Sequence, residues 1–179
     1  MVAKKAKFVH FIGIDVSKGK IDVWLCVNLG NQGHYWGEFE QSKKGFSAFK
    51  KWLEGFIGKD MSVVFACLEN TGLYDDALLY FLADHNIAAC VENGATIKAA
   101  KRDQRQKNDK LDAREIAMYA IRYLDELEIW EKPRPVIEQL RQLLSLRSSL
   151  IVHLKGLKQR QKEIDGFKWA GIPKINNYS

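Results

Sequence analysis

The sequence has no long apolar run, few cysteines and, over its last quarter, few acidic residues. No apolar stretch reaches the roughly 20 residues that a membrane-spanning helix needs. The N-terminal segment MVAKKAKFVHFIGID runs from lysines into a strand and lacks the small-residue cleavage site of a secretory signal. We therefore expect a cytoplasmic protein with no membrane partner.

The number and spacing of the three cysteines argue against a disulfide framework and against a zinc site. Cys26, Cys67 and Cys90 are odd in number, far apart, and all within strand-like apolar segments. These spacings match neither a disulfide framework nor a zinc site. We therefore expect three reduced thiols in the core.

Acidic residues are scarce only in the last quarter of the chain. Residues 1–90 carry ten basic and ten acidic side chains, residues 91–132 carry nine of each, and residues 133–179 carry nine basic against three acidic. A neutral first domain with a basic extension favours a polyanionic partner such as nucleic acid. A solvated helix face has the same composition, so charge alone leaves both explanations open.

The first 130 residues show the pattern of a mixed α/β sheet with flanking helices. Strands are predicted at 8–15, 20–28, 34–40, 62–68 and 87–91, and helices at 43–57, about 73–84 and about 108–124. The first three strands are joined by the short turns SKG and NLGNQG, which indicates an antiparallel meander. Three such strands followed by alternating helix and strand is the order of a ribonuclease H-like (RuvC-like) fold. Trp24, Trp36 and Trp52 are expected in its core.

A separate helical extension is predicted after the proline-containing segment EKPRP at 131–135, which ends any preceding helix. Positions 136, 140, 143, 147, 150, 154, 157, 161 and 164 are spaced alternately by four and three residues, and seven of the nine are apolar. This spacing is typical of a coiled-coil seam, with Arg147 and Gln161 as polar interruptions. We predict that residues 131–166 form a coiled coil that makes a homodimer or higher homo-oligomer through 136–164. The alternative is a helix that packs on its own domain.

Four carboxylates are candidates for a metal site. Asp15 and Glu69 each end an apolar strand, and Asp109 and Asp112 are three apart on one helix face. Their convergence would favour a hard cation, and oxygen ligands select Mg²⁺ or Mn²⁺. Two such ions can activate an attacking oxygen and stabilise a leaving one on a phosphodiester. Each acid taken singly also fits an ordinary role at a strand end or a helix N-terminus.

Three segments together resemble a known family. GIDVSK (13–18), LENTGLY (68–74) and KNDKLDAREIA (107–117) are similar to the three signatures of the DEDD transposases of bacterial insertion sequences. That family includes the Piv-type DNA invertases and the bridge-RNA-guided recombinases. The resemblance extends over about residues 8–124 in order and spacing.

The resemblance implies that Asp15, Glu69, Asp109 and Asp112 are a catalytic tetrad that binds Mg²⁺ or Mn²⁺. It implies a nucleoid-associated, metal-dependent transposase or site-specific recombinase that cleaves and exchanges DNA strands, with a structured guide RNA as a further partner. Full-length relatives continue into a second domain that supplies a serine nucleophile. Residues 167–179 are interpreted as the start of such a domain, and the activity of the present chain alone is left open.

Basic side chains suited to neutralising a nucleic-acid strand form two groups. The first leads into the last acidic pair and comprises Lys98, Lys101, Arg102, Arg105, Lys107, Lys110 and Arg114; the second lies in the extension and comprises Arg141, Lys155, Lys158, Arg160 and Lys162. A strand that enters a carboxylate site needs such neutralisation. Separately solvated side chains are the plainer interpretation.

Two other functions fit the same residues. One is a stand-alone RuvC-like Holliday-junction nuclease that cuts with the four acids alone, and cleavage by this chain by itself would favour it. The other is a non-catalytic module that binds nucleic acid and dimerises through 136–164. Binding that does not depend on metal would favour this second alternative.

Overall fold

The computed structural model describes residues 8–28, 32–100 and 109–166. In chain order the strands and helices are β1 (His10–Val16), β2 (Lys20–Val27), β3 (Gln32–Glu40), α1 (Lys43–Ile57), β4 (Val64–Glu69), α2 (Asp76–Asp84), β5 (Ala88–Glu92), α3 (Gly94–Ala99), α4 (Asp109–Tyr123) and α5 (Pro135–Gly166). The chain divides into two compact units, residues 1–132 and 133–179. The predicted tail at 167–179 lies outside the described residues.

The five strands of the first unit form one mixed sheet in the order β3-β2-β1-β4-β5. The pairs β1–β2 and β2–β3 are antiparallel, whereas β1–β4 and β4–β5 are parallel. An antiparallel meander joined to two parallel strands is the arrangement expected from the sequence. It confirms the ribonuclease H-like (RuvC-like) fold.

Alternation of side chains along the strands divides the core into two layers. Ile12 and Ile14 of β1 point to one face and pack in a cluster with Phe49 and Leu53 of α1 and with residues of α2. Phe11 points to the other face, in a second cluster to which α4 contributes several residues. The three cysteines are buried and unpaired, as expected.

Helix α4 lies directly against β1 because Gly13 has no side chain. A Cβ atom at Gly13 would lie 2.1 Å from the carbonyl oxygen of Ala113 and 2.2 Å from the backbone nitrogen of Ala117. Both atoms belong to the helix backbone, so no side-chain movement could relieve the clash. This close approach fixes the first turn of α4 relative to the end of β1.

The sequence predicts most element bounds within a few residues. The predicted helix at 43–57 is observed as Lys43–Ile57, with the Ser42 side chain accepting a hydrogen bond from the Gly45 backbone nitrogen at 3.1 Å. Strand β4 starts later than expected because Met61–Val63 forms a separate 3-10 turn. Helix α2 likewise starts late, after a 3-10 turn at Gly72–Tyr74. The short helix α3 was not expected.

One tryptophan departs from its expected place in the core. Trp36 is 40% exposed, because it lies on the outer strand β3 and its ring is on the face that carries α4. Trp52 packs against Phe39 and Phe56 on the opposite face, as expected for a core residue.

The second unit contains the long helix α5, which begins at Pro135, a favourable first residue for a helix. Its 32 residues span about 48 Å at 1.5 Å per residue. None of its side chains is buried. The predicted helix is confirmed, whereas its association with a second copy stays a prediction. Among the described residues, no helix is both long and apolar enough to cross a membrane.

Candidate carboxylate site

Asp15 and Glu69 occupy neighbouring positions at the carboxyl ends of the two central parallel strands. Asp15 is the sixth residue of β1 and Glu69 is the last residue of β4. These strands are parallel neighbours with Ile14 opposite Leu68, so the next residue on each strand is an acid. Both carboxylates lie on the face covered by α4.

The packing of α4 brings Asp109 and Asp112 to the same end of these strands. Asp109 and Asp112 lie in the first turn of this helix, immediately before the segment that contacts Gly13. The pKa of Asp15 is raised to about 6, mainly by burial and then by the negative charges of Asp112, Asp109, Glu69 and Asp22. The other three acids that the sequence singled out therefore all contribute to the electrostatic potential at Asp15.

A fifth carboxylate, Asp22, was missed by the sequence analysis. It lies directly opposite Asp15 in the β1–β2 pair, and it is only 3% exposed. Its Oδ1 atom is buried and has no hydrogen-bond partner among the described residues. The sequence did contain a signal for Asp22: a short turn after Val16 predicts a hairpin in which Asp22 lies opposite Asp15. We call Asp15, Asp22, Glu69, Asp109 and Asp112 the acid corner.

Two lysines compensate part of this negative charge. Lys20 Nζ lies 3.0 Å from Asp22 Oδ2, 2.8 Å from Glu38 Oε2 and 3.1 Å from Asp109 Oδ2. The pKa of Lys20 is raised, first by its hydrogen bond to Glu38 and then by those to Asp22 and Asp109. Lys20 therefore links strands β2 and β3 to the start of α4.

The second lysine, Lys98, lies beside Glu69. Its Nζ atom is 3.2 Å from Glu69 Oε1. A Cβ atom at Gly94 would lie 1.9 Å from the same carboxylate oxygen, so glycine leaves the space that Glu69 occupies. Glu69 thus has a defined position between the end of β4 and α3.

Two side chains beside the acids have ordinary turn roles. The Thr71 hydroxyl donates to Asp75 Oδ1 at 2.5 Å, and the Thr71 backbone nitrogen donates to Asp75 Oδ2 at 2.7 Å. The Ser17 hydroxyl donates to the Lys20 carbonyl oxygen at 3.0 Å. These bonds stabilise the turns that follow β4 and β1.

Comparison with known proteins assigns a family to this arrangement. The family model of the IS110-type DEDD transposases, described as Transposase, matches residues 12–164. The chain belongs to this transposase family. No curated protein sequence matches this transposase significantly.

Solved structures with a similar backbone include Thermus thermophilus RuvC and the same protein in complex with Holliday junction substrate. Both are 10% identical to the transposase in sequence, and each comparison covers 68% of this chain and 99% of the other. The TM-scores are 0.48 for the first and 0.49 for the complex.

The acid corner offers only oxygen atoms, which is the donor set that Mg²⁺ and Mn²⁺ prefer. The unpartnered Asp22 Oδ1 atom and the raised pKa of Asp15 both indicate an excess of negative charge at this position. Among the described residues, however, no three acidic, histidine or cysteine side chains are close enough to form a ready-made metal cluster. The residues fit a divalent cation chemically, with side-chain rearrangement needed to close around it.

The basic side chains predicted to bind nucleic acid have different outcomes. Lys98 pairs with Glu69, Lys110 lies over two tryptophan rings, and Arg114 is exposed on α4. The five candidates on α5 are all exposed, and Arg141 among them pairs with Glu138 at 3.2 Å; they are Arg141, Lys155, Lys158, Arg160 and Lys162. Four further candidates, Lys101, Arg102, Arg105 and Lys107, lie outside the described residues.

Proposed function

We propose that this transposase cleaves and exchanges DNA strands at the acid corner, with Mg²⁺ or Mn²⁺ held by Asp15, Glu69, Asp109 and Asp112. The observation that carries the proposal is the placement of Asp15 and Glu69 at the same end of two adjacent parallel strands, with Asp109 and Asp112 in the first turn of the helix that packs on Gly13. The raised pKa of Asp15, to which the charges of the other three acids contribute, agrees with this placement. Carboxylates gathered in this way are costly unless a cation compensates them. Bound there, divalent metal supplies activation of the attacking oxygen and stabilisation of the leaving oxygen.

The residues of this chain contribute position and charge. Asp15 and Glu69 end adjacent strands, so their carboxylates are held by the sheet, whereas Asp109 and Asp112 depend on the docking of α4 against Gly13. Lys20 pairs with Asp109 and Lys98 with Glu69, so both ammonium groups would compete with a divalent cation held by these carboxylates. Both are also cations placed where DNA phosphates would approach the acid corner.

Calorimetry with Mn²⁺ tests the metal site. Binding by the wild-type chain should be lost or weakened sharply in Asp15→Asn and in Asp112→Asn, because each variant removes one negative oxygen donor. The matched control is Asp125→Asn, an exposed acid just beyond the far end of α4, about 20 Å along the helix axis from its start. Equal binding by the wild type and all three variants would reject the site.

A nicking assay with Mg²⁺ or Mn²⁺ tests the activity. Supercoiled and branched DNA should both be offered, with Asp15→Ala as the inactive control. Strong, Asp15-dependent cutting of branched DNA by the isolated chain would favour the Holliday-junction nuclease over a transposase that needs further partners. DNA binding that is the same with and without metal, and that no acid substitution alters, would favour the non-catalytic module.

We extend the proposal to a structured guide RNA as a partner. Its support is the resemblance of the three motifs to a family with RNA-guided members, together with the basic groups around α4 and on α5. Electrophoretic mobility shifts with a structured RNA and with a duplex DNA of the same length test it. Preferential RNA binding that falls steeply with salt is expected, and equal affinity for both would contradict it.

A further inference from the structure

Two tryptophans lie beside the acid corner on the outer part of the sheet. Trp24 of β2 and Trp36 of β3 are directly paired across the strands, so both rings are on one face. Asp22 lies on that same face, two residues before Trp24, or about 7 Å along the strand. His34, the next residue of β3 on this face, is exposed and stacks on Trp24 with ring centroids 6.0 Å apart. We call Trp24, Trp36 and His34 the aromatic shelf.

The outer part of the aromatic shelf, Trp36 and His34, is exposed, whereas Trp24 is half-buried. Helix α4 packs on β1, β2 and β4, whereas Trp36 on β3 is 40% exposed. An exposed tryptophan next to a cluster of carboxylates contributes little to the stability of the fold, since only part of its apolar surface is buried. Its position suggests a surface for a ligand with an aromatic face.

A positive charge lies over the two tryptophan rings of the aromatic shelf. Lys110 Nζ is 5.8 Å from the centroid of the Trp24 ring and 5.5 Å from that of Trp36. Lys110 directly follows Asp109 in the first turn of α4. An anionic group that approaches the acid corner across the aromatic shelf therefore meets a cation first.

We propose that the aromatic shelf stacks a base of a single DNA strand, with Lys110 as the counter-ion of the adjacent phosphate. The inference rests on the proposed function, because it assumes that the next phosphate reaches the acid corner. Exposed aromatic rings combined with a neighbouring cation are the means by which single-stranded nucleic acid is bound without sequence preference. Carboxylates and phosphates repel each other, and a stacked base with a neighbouring cation would offset part of that repulsion next to the site.

Fluorescence anisotropy with a labelled oligothymidylate of about 15 nucleotides, and with an abasic strand of the same length and charge, tests the proposal. The wild-type chain should bind the thymidine strand more tightly than the abasic one. Trp36→Ala should weaken thymidine binding about tenfold and abolish the preference, since one base–aromatic stack is lost. Trp36→Phe should retain most of the preference, because a ring remains.

Tyr35→Ala is the matched control. Tyr35 is the preceding residue on β3, is 38% exposed, and stacks on Phe56 on the opposite face with centroids 4.0 Å apart. It should leave both affinities unchanged, and far-ultraviolet circular dichroism should show that both variants are folded. Equal losses in Tyr35→Ala and Trp36→Ala would overturn the assignment to this face.

The remaining outcomes separate this inference from the function on which it rests. A wild-type chain that binds both oligomers equally, but binds Mn²⁺ normally, would overturn the aromatic shelf alone. A wild-type chain that binds neither oligomer at any metal concentration would overturn the shelf and the proposed function together. Unchanged DNA binding by Trp36→Ala with an altered sedimentation coefficient would instead identify the shelf as a protein contact.

Discussion

Asp15 and Asp22 face each other across β1 and β2, with both carboxylates on the side of the sheet that α4 covers. Like charges in directly opposed positions destabilise an antiparallel pair. Asp22 is almost fully buried, and Lys20 compensates only one of its two oxygens. The position therefore costs stability in the free protein, which is the expected property of a site that gains its full charge balance from a bound cation.

The first prediction concerns the charge of Asp15. In the metal-free protein, Asp15→Asn should raise the free energy of unfolding at pH 7 by about 1–3 kcal/mol, because it removes a carboxylate whose ionised form is disfavoured by burial and by four neighbouring acids. Urea denaturation in the presence of a chelator measures the change. Asp125→Asn is the control and should have little effect.

The same experiment has a definite pH dependence. The pKa of Asp15 is raised from its usual 3.8 to about 6 in the folded chain, so between these values the folded state binds more protons than the unfolded state. This group therefore makes wild-type stability fall as pH rises through that window. The advantage of Asp15→Asn should appear across it and be absent at its acidic end. An advantage that is constant with pH would show that ionisation of Asp15 is not its cause.

The second prediction concerns Lys20, whose ammonium binds Asp22, Glu38 and Asp109. Lys20→Met keeps the length of the side chain and removes its charge. We expect a lower free energy of unfolding without metal, because the three carboxylates lose their shared cation. We also expect tighter Mn²⁺ binding, on the order of several-fold, because the metal no longer competes with Lys20 for Asp109.

Lys50→Met provides the comparison for Lys20. Lys50 pairs with Glu54 at 2.7 Å along α1, away from the acid corner, so its loss should change stability little and leave Mn²⁺ affinity unchanged. Calorimetry of both variants measures the difference. Weaker Mn²⁺ binding in Lys20→Met would mean that Lys20 holds the acids in position for the metal instead of competing with it.

The third prediction concerns the docking of α4. Gly13→Ala should destabilise the fold by about 3 kcal/mol or more, since the added Cβ would overlap the backbone of Ala113 and Ala117. It should also reduce Mn²⁺ affinity, because Asp109 and Asp112 move with the helix. Thermal unfolding and calorimetry measure the two effects.

Gly55→Ala is the control for the docking prediction. Gly55 lies inside α1, where a Cβ atom would meet nothing within 4 Å. Alanine has a higher helix propensity than glycine, so this variant should be more stable by about 0.5–1 kcal/mol and bind Mn²⁺ as before. A Gly13→Ala protein with normal stability would show that α4 is not held against β1 in this way.

The sequence was sufficient for the parts of the site that depend on one element at a time. Asp15 and Glu69 were found because each ends an apolar strand, and the pair in α4 because i, i+3 residues share a helix face. Asp22 and Lys20 were missed because their roles come from strand pairing and from the packing of α4. Such relationships between distant elements leave no periodic signal in the sequence.

The sequence pattern also could not predict that the Trp36 side chain is exposed. Trp36 alternates correctly for a strand residue, but which face α4 covers, and how far it extends, depends on the contact at Gly13. Helix α3 was missed because its six residues are too few to establish a periodic pattern. The heptad spacing at 136–164, by contrast, predicts a helix that is present, whereas the coiled coil stays a prediction.

The fourth prediction is that α5 associates with a second copy of itself. Its seam residues are exposed by between 49% for Ile164 and 64% for Val136, Leu143 and Leu157, and contiguous apolar surface of this extent is uncommon on a monomer. Leu150→Glu should lower the sedimentation coefficient to that of a monomer, because a charge in the seam must be desolvated for the helices to pair. Val152→Glu is the matched control: Val152 is 67% exposed on the same helix but lies off the seam, so the oligomer should persist.

A wild-type chain that sediments as a monomer at all concentrations tested would contradict self-association. Equal effects of the two substitutions would place the contact on a face of α5 other than the seam.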